Sequence, residues 1–182
     1  MPRTPVHTVD TAPGESKPTL EQLGKRTGGK VLNIFAEMAH APVVLELYAT
    51  MDSLLAERSS LALATRRAIH LTTAQVNDCN YCQAAYTGAA VAAGHSQEAA
   101  LGIRRGEVSD DPKLTALLTV TRQIAAHKGE VEDRDWQSAL DAGWSQRELL
   151  EAYAEVVRTI YTNYFNHLVG TELDLKAAPP LE

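Results

Sequence analysis

No stretch of the 182-residue chain alternates apolar and polar residues as a half-buried strand does, and aromatic side chains make up only 5% of it. That excludes a sheet-based fold and favours closely packed helices, with alanine supplying much of the apolar content. Two cysteines are too few for a secreted disulfide framework, and their close spacing suits a reducing compartment and a catalytic or metal role. The longest basic run is a pair, Arg66-Arg67, and the formal net charge is −6, which argues against a phosphate-backbone partner. No apolar run approaches membrane-spanning length, and Met1 to Leu20, rich in Pro, Thr and charge, lacks the apolar core of a signal peptide. The expectation is a soluble cytoplasmic protein with no nucleic-acid and no membrane partner.

At 19.8 kDa the chain fits one domain that can bury a core without disulfide staples. Residues 1–18 read as a flexible arm, because their composition buries too little to offset ordering. Residues 19–174 carry the helical patterns, and 175–182 form an irregular tail. Apolar positions recur at steps of three and four from Val31 to Ala39, and again from Val44 to Leu55 behind Pro42. A helix over about 60–76 places Arg67, His70, Leu71 and Ala74 on one face. Asn77 or Asp78 is expected to cap the next helix, and Gly94 to end it. Ser96 and Asp111-Pro112 start two further helices, and a short one follows around residue 133. Ser145-Gln-Arg-Glu148 is a capping box opening a long helix to about His167. The fold class is all-α.

Both cysteines stand in one small-residue stretch, Val76-Asn-Asp-Cys79-Asn-Tyr-Cys82-Gln-Ala-Ala-Tyr86. Two intervening residues let the sulfurs meet across one helical turn, so the pair can cycle between dithiol and disulfide. Unpaired N–H groups at a helix start stabilise a thiolate and lower its pKa. On helix position alone Cys79 is the more acidic thiol.

This stretch, followed by Ala93-Gly-His-Ser96, resembles the core of the carboxymuconolactone decarboxylase / alkylhydroperoxidase D superfamily. The tail Asn163-Tyr-Phe-Asn-His-Leu-Val-Gly-Thr-Glu-Leu-Asp174 resembles the C-terminal segment of its peroxidase-like members, and the likeness spans roughly residues 30–174. The resemblance implies an AhpD-like helical bundle, a homo-oligomer (trimer or hexamer), a small organic hydroperoxide as substrate, a dithiol or disulfide-reductase electron donor, and no bound cofactor or metal. Carried over, Cys82 would attack the peroxide and Cys79 would resolve the sulfenic acid. The family's redox members pair the cysteines with a Glu before them and a His after them as a proton relay. Here Arg67 stands at the Glu position and Tyr86 at the His position. A guanidinium accepts no proton at working pH. Arg67 is therefore a candidate counter-ion to a thiolate, against pairing with an acidic side chain or solvent. Tyr86 is a candidate hydrogen-bond donor to sulfur or peroxide oxygen, against a half-buried tyrosine satisfied by backbone or water. His70 is the nearest candidate for a replacement base, against the structural role more usual for a lone helical histidine.

Two other readings compete with a hydroperoxide reductase or disulfide oxidoreductase. One is a lactone decarboxylase on the same fold. The other is a non-catalytic helical oligomer or a module stapled by zinc through the cysteines and His70 or His95. His127 and His167 are expected near helix ends or at the cleft edge, and Trp136 and Trp144 in packing.

Overall fold

Proline and short polar caps set most helix starts in the computed structural model, which describes residues 2–106, 108 and 110–181. The described residues form the helices α1 (Lys17–Arg26), α2 (Asn33–Met38), α3 (Pro42–Arg58), α4 (Leu63–Val76), α5 (Asn80–Ala92), α6 (Gln97–Arg105), α7 (Pro112–Ala126), α8 (Asp133–Asp141) and α9 (Gln146–Val169), with no strand among them. Pro42 and Pro112 lie in the first turns of α3 and α7, where a missing N–H costs no helical bond. Asp111 caps α7 and Ser96 caps α6, each accepting from a backbone N–H in the first turn. The Ser145–Glu148 capping box opens α9, and Gly170, at φ 72°, closes it in a conformation that suits a residue without Cβ.

Helix α4 is the centre of the bundle, flanked by α5, α6, α7 and α9. It is buried on nearly every side, through Ala68, Ile69, Leu71 and Ala74 among apolar groups and Arg66, His70, Thr72 and Thr73 among polar ones. Leu117 and Leu118 of α7, Leu149 of α9, Ile103 of α6 and Leu45 of α3 close the core around it. Truncating a wholly buried leucine such as Leu71 to alanine costs about 2–5 kcal/mol through lost transfer energy and the cavity left behind. Leu71 and His70 are neighbours in sequence. The same helix that anchors the core therefore fixes the polar cluster described below.

Two expectations differ from the structure. The cap of α5 is the sulfur of Cys79, which accepts from the Cys82 N–H at 3.3 Å, rather than Asn77 or Asp78. Asn77 instead ends α4 and donates its side-chain amide to Asn163 Oδ1 at 2.9 Å, while Asp78 takes a left-handed φ of 51° that folds α4 back onto α5. The segment before α1, read from composition as a flexible arm, lies against the bundle. Arg3 N–H donates to the Val169 carbonyl at 2.7 Å, Ser16 Oγ donates to the Ala39 carbonyl at 2.8 Å, and Ala12 is buried. Hydrogen bonds, which composition does not reveal, hold what apolar burial alone does not. No helix among the described residues is long and apolar enough to cross a membrane.

Candidate active site

Cys79 and Cys82 are joined as a disulfide, with Cα atoms 5.3 Å apart across the first turn of α5. Both are almost wholly buried, at 1% and 2% exposure, so a molecule in bulk solvent reaches a sulfur only through a cavity. Such a cavity exists. A cleft of about 330 Å³ has Cys82 in its wall, and Cys79 is not among its lining residues. Behind the sulfurs, Asn166 of α9 donates its side-chain amide to Cys82 Sγ at 3.2 Å and to Cys79 Sγ at 3.7 Å.

The rest of the cleft wall is mainly apolar and aromatic, with three guanidinium groups set into it. Phe35, Leu23, Leu32 and Ile34 supply the apolar part, and Arg26, Arg67 and Arg158 the charge, with the Tyr48, Tyr81 and Tyr86 rings between them. Arg158, only 3% exposed, is held by three oxygens. Its Nη1 donates to the Tyr86 hydroxyl at 2.6 Å, and its Nη2 to the Tyr48 hydroxyl at 2.8 Å and to Asp52 Oδ1 at 2.5 Å. Burial works against the Arg158 charge, but the two tyrosines and Asp52 keep its pKa well above the ordinary value. Asp52 answers two cations, accepting from Arg26 through its other oxygen at 3.0 Å. Burial pushes the Asp52 carboxyl up, and Arg158 more than offsets this and holds it below the usual carboxylate range.

A second cluster lies one layer deeper. Glu155 of α9, fully buried, accepts from Arg66 and from His70 Nε2, the latter at 2.6 Å. Burial raises the Glu155 pKa, and the His70 hydrogen bond together with the Arg66 charge more than cancels it. Burial, with the Arg158 charge next, pushes His70 down to about 4 despite its carboxylate partner. His70 is thus neutral at pH 7. Its other nitrogen, Nδ1, lies 3.4 Å from Arg67 Nη1, and a guanidinium only donates. The tautomer follows: Nδ1 accepts from Arg67, and Nε2 carries the proton and gives it to Glu155.

The structure therefore brings Cys82, Tyr86 and Arg67 together around one cleft and places His70 behind them. The His70 ring packs 4.9 Å from the Tyr86 ring, has both nitrogens engaged, and does not line the cleft. Arg67 makes no hydrogen bond to either sulfur among the described residues; His70 is its hydrogen-bond contact. His95 lies away from the cysteines, with Nε2 at 2.9 Å from the Ala64 carbonyl, and no group of three or more His, Cys, Asp or Glu among the described residues converges as metal ligands do. Sequence reasoning missed Asp52, Glu155, Arg158 and Asn166. A signal for the last three was present: Glu155, Arg158, Thr159, Thr162 and Asn166 form a polar stripe at helical spacing along α9.

A bundle of this topology with a disulfide-bonded pair at the start of a small-residue helix defines an AhpD-like helical protein. The carboxymuconolactone decarboxylase family model matches residues 42–123, which include both cysteines. Over that segment the chain is similar to the carboxymuconolactone decarboxylase family, and its helical fold is AhpD-like. Among solved structures it is similar to an alkylhydroperoxidase AhpD core, an uncharacterized peroxidase-related protein from Ralstonia eutropha JMP134, with a TM-score of 0.83 and 19% identity over 95% of this chain and 92% of that one. An uncharacterized peroxidase-related protein from Silicibacter sp. TM1040 gives 0.79 and 17% over 94% and 91%. The debrominase Bmp8 in complex with 2,3,4-tribromopyrrole gives 0.80 and 13% over 94% and 91%. At these identities the likeness is one of fold. No curated protein matches the sequence.

Proposed function

We propose that the protein is a thiol-dependent reductase of small organic hydroperoxides, cycling Cys79 and Cys82 between dithiol and disulfide. The observation that carries this reading is that Cys82 alone of the pair lines a cleft, while Cys79 stands within bonding distance behind it. In the reduced protein the Cys82 thiolate attacks the terminal oxygen of ROOH. The O–O bond breaks, Cys82 becomes a sulfenic acid, and RO⁻ leaves. Tyr86 supplies the proton that makes ROH: its hydroxyl oxygen accepts from Arg158, which polarises the O–H and leaves its hydrogen free to face the cleft. Cys79 then attacks the Cys82 sulfur, water departs, and the disulfide forms. A dithiol donor returns two electrons and two protons. Asn166, the N-terminal dipole of α5 and the cationic cleft wall all favour the thiolate. His70 acts as a positioning residue through Arg67 rather than as the base.

The disulfide-bonded pair supports redox chemistry over lactone decarboxylation, which calls for no electron exchange. The aromatic walls also accommodate a flat ring, and reductive debromination of a bromopyrrole draws the same two electrons from the pair. Treating the reduced protein with one equivalent of cumene hydroperoxide tests the proposal. Loss of both titratable thiols with release of the alcohol is expected. Retention of both thiols sinks it, and bromide release from a bromopyrrole without hydroperoxide turnover replaces it with the second reading.

The protein is also proposed to work as a homo-oligomer. Val44, Leu47, Val157, Tyr164 and Leu168 line an apolar groove between α3 and α9 on the side away from the sulfurs, a surface suited to a second copy.

A further inference from the structure

In a chain of formal net charge −6, the cleft that holds Cys82 sets three guanidinium groups against a single carboxylate, a surplus of two positive charges. The carboxylate is already committed, since Asp52 binds Arg26 with one oxygen and Arg158 with the other. The neighbouring carboxylate, Glu155, is likewise taken by Arg66 and His70. Arg67 forms no ion pair among the described residues and hydrogen-bonds only the neutral His70. Beside it, Arg158 keeps a buried Nε–H with no hydrogen-bond partner. Bringing cations to a partly apolar cleft costs desolvation unless an anion answers them. A reduced Cys82 thiolate answers one charge, and the second has no partner in the chain.

We infer that the cleft takes substrates bearing a carboxylate, bound at Arg67 while the reducible group faces Cys82. Resting on the redox reading above, this names the class of hydroperoxide the site prefers: anionic ones, held by a planar donor fork, over neutral alkyl hydroperoxides. The neutral ones reach Cys82 through apolar contact alone and bind more weakly but still react when supplied stoichiometrically. Arg67 suits the task. It sits in the cleft wall, its planar fork matches a carboxylate, and the Nδ1 acceptor of His70 fixes one edge of that fork. The apolar wall of Phe35, Leu23 and Ile34 takes the hydrocarbon body between the two ends.

The test uses probes that cannot be reduced, so its outcome is independent of whether the cysteines turn over. 4-Isopropylbenzoate and its neutral near-isostere 4-isopropylbenzamide are titrated calorimetrically into the oxidised protein. The benzoate is expected to bind at least about tenfold more tightly, a ratio that shrinks as salt rises from roughly 50 to 500 mM. Arg67→Gln is expected to bring the ratio close to one, and Arg67→Lys, which keeps the charge and loses the fork, to give an intermediate value. Equal affinity for the two probes in the parent protein, binding of neither, or an undiminished preference in a folded Arg67→Gln protein overturns the inference. Should Arg67→Gln fail to fold, the parent ratio, its salt dependence and Arg67→Lys decide. The redox reading stands or falls separately on thiol loss with cumene hydroperoxide.

Discussion

The two faces of α9 depart from the usual arrangement of a surface helix, because the inner face carries a polar stripe beside the apolar Leu149, Ala152, Val156 and Val169. Toward the interior it turns Glu155, Arg158, Thr159, Thr162, Asn163 and Asn166, all buried, and toward the outside Leu150, Tyr153, Tyr164 and Leu168, all more than half exposed. A polar inner face is costly unless each group finds a partner, and here most do: Glu155 has Arg66 and His70, Arg158 has Asp52 and two tyrosines, Asn166 has the sulfurs. Hydrophobic residues would pack that face more stably. The polar stripe instead holds Asn166 against both sulfurs, while the apolar outer residues leave a surface open to contact.

If the inner face serves the sulfurs, the largest effect comes from the sulfur it addresses. Cys82→Ser is expected to lower hydroperoxide turnover by at least about a thousandfold, whereas Cys79→Ser allows one oxidation and stalls as a sulfenic acid that dimedone traps. Mass spectrometry distinguishes the two, and trapping in Cys82→Ser but not in Cys79→Ser would reverse the assignment of attacking and resolving thiol. Next in size is Glu155→Ala, which strands Arg66 and the His70 N–H in the core. A loss of about 3–5 kcal/mol in urea unfolding is expected, with Glu155→Gln recovering part of it.

Acidification probes the same cluster. The His70 pKa is 6.5 when unconstrained and about 4 in the fold, so between these values the unfolded chain binds a proton that the native protein does not. By linkage, stability falls as pH drops through that window, by roughly 3 kcal/mol if the whole shift is expressed, and it is insensitive to His70 above it. Urea midpoints at pH 7 and pH 4.5 check this, and the difference should shrink in His70→Gln. Asn166→Leu is subtler: removing one donor to Cys82 should destabilise its thiolate and slow alkylation of the reduced protein by roughly tenfold at pH 7. An unchanged alkylation rate would reduce Asn166 to packing. On the outer face, Tyr164→Glu with Leu168→Lys should change the stability of an isolated chain by less than about 0.5 kcal/mol. Its effect should appear instead in sedimentation, as a shift of the assembly toward single chains; a parent protein already monomeric removes the role proposed for that face.

The sequence carries the helices well because their signals are local and chemical. Pro42, Ser96, Asp111-Pro112 and Ser145 with Glu148 each mark a start within one turn of where it falls. The start of α5 reads differently from its neighbours, since a thiol is not a usual cap and Asn77 and Asp78 offer better oxygen acceptors just before it. The sulfur pair is evident from spacing, and Tyr86 and Arg67 from their distance along the chain to it. What spacing does not supply is the partner of His70, because Glu155 lies 85 positions away and meets it only through the docking of α9 on α4. A replacement base is a fair reading of a histidine one turn from Arg67. The buried carboxylate turns it into a support.

Asp52 joins guanidinium groups from both ends of the chain, Arg26 of α1 and Arg158 of α9. The segment matched by the family model, residues 42–123, contains both cysteines and Asp52, yet Arg26, Glu155, Arg158 and Asn166 all lie beyond its borders. Excised on its own, that central piece would keep the cysteines and lose the surroundings that give them their bias. Much of what surrounds the two sulfurs is written in the flanks.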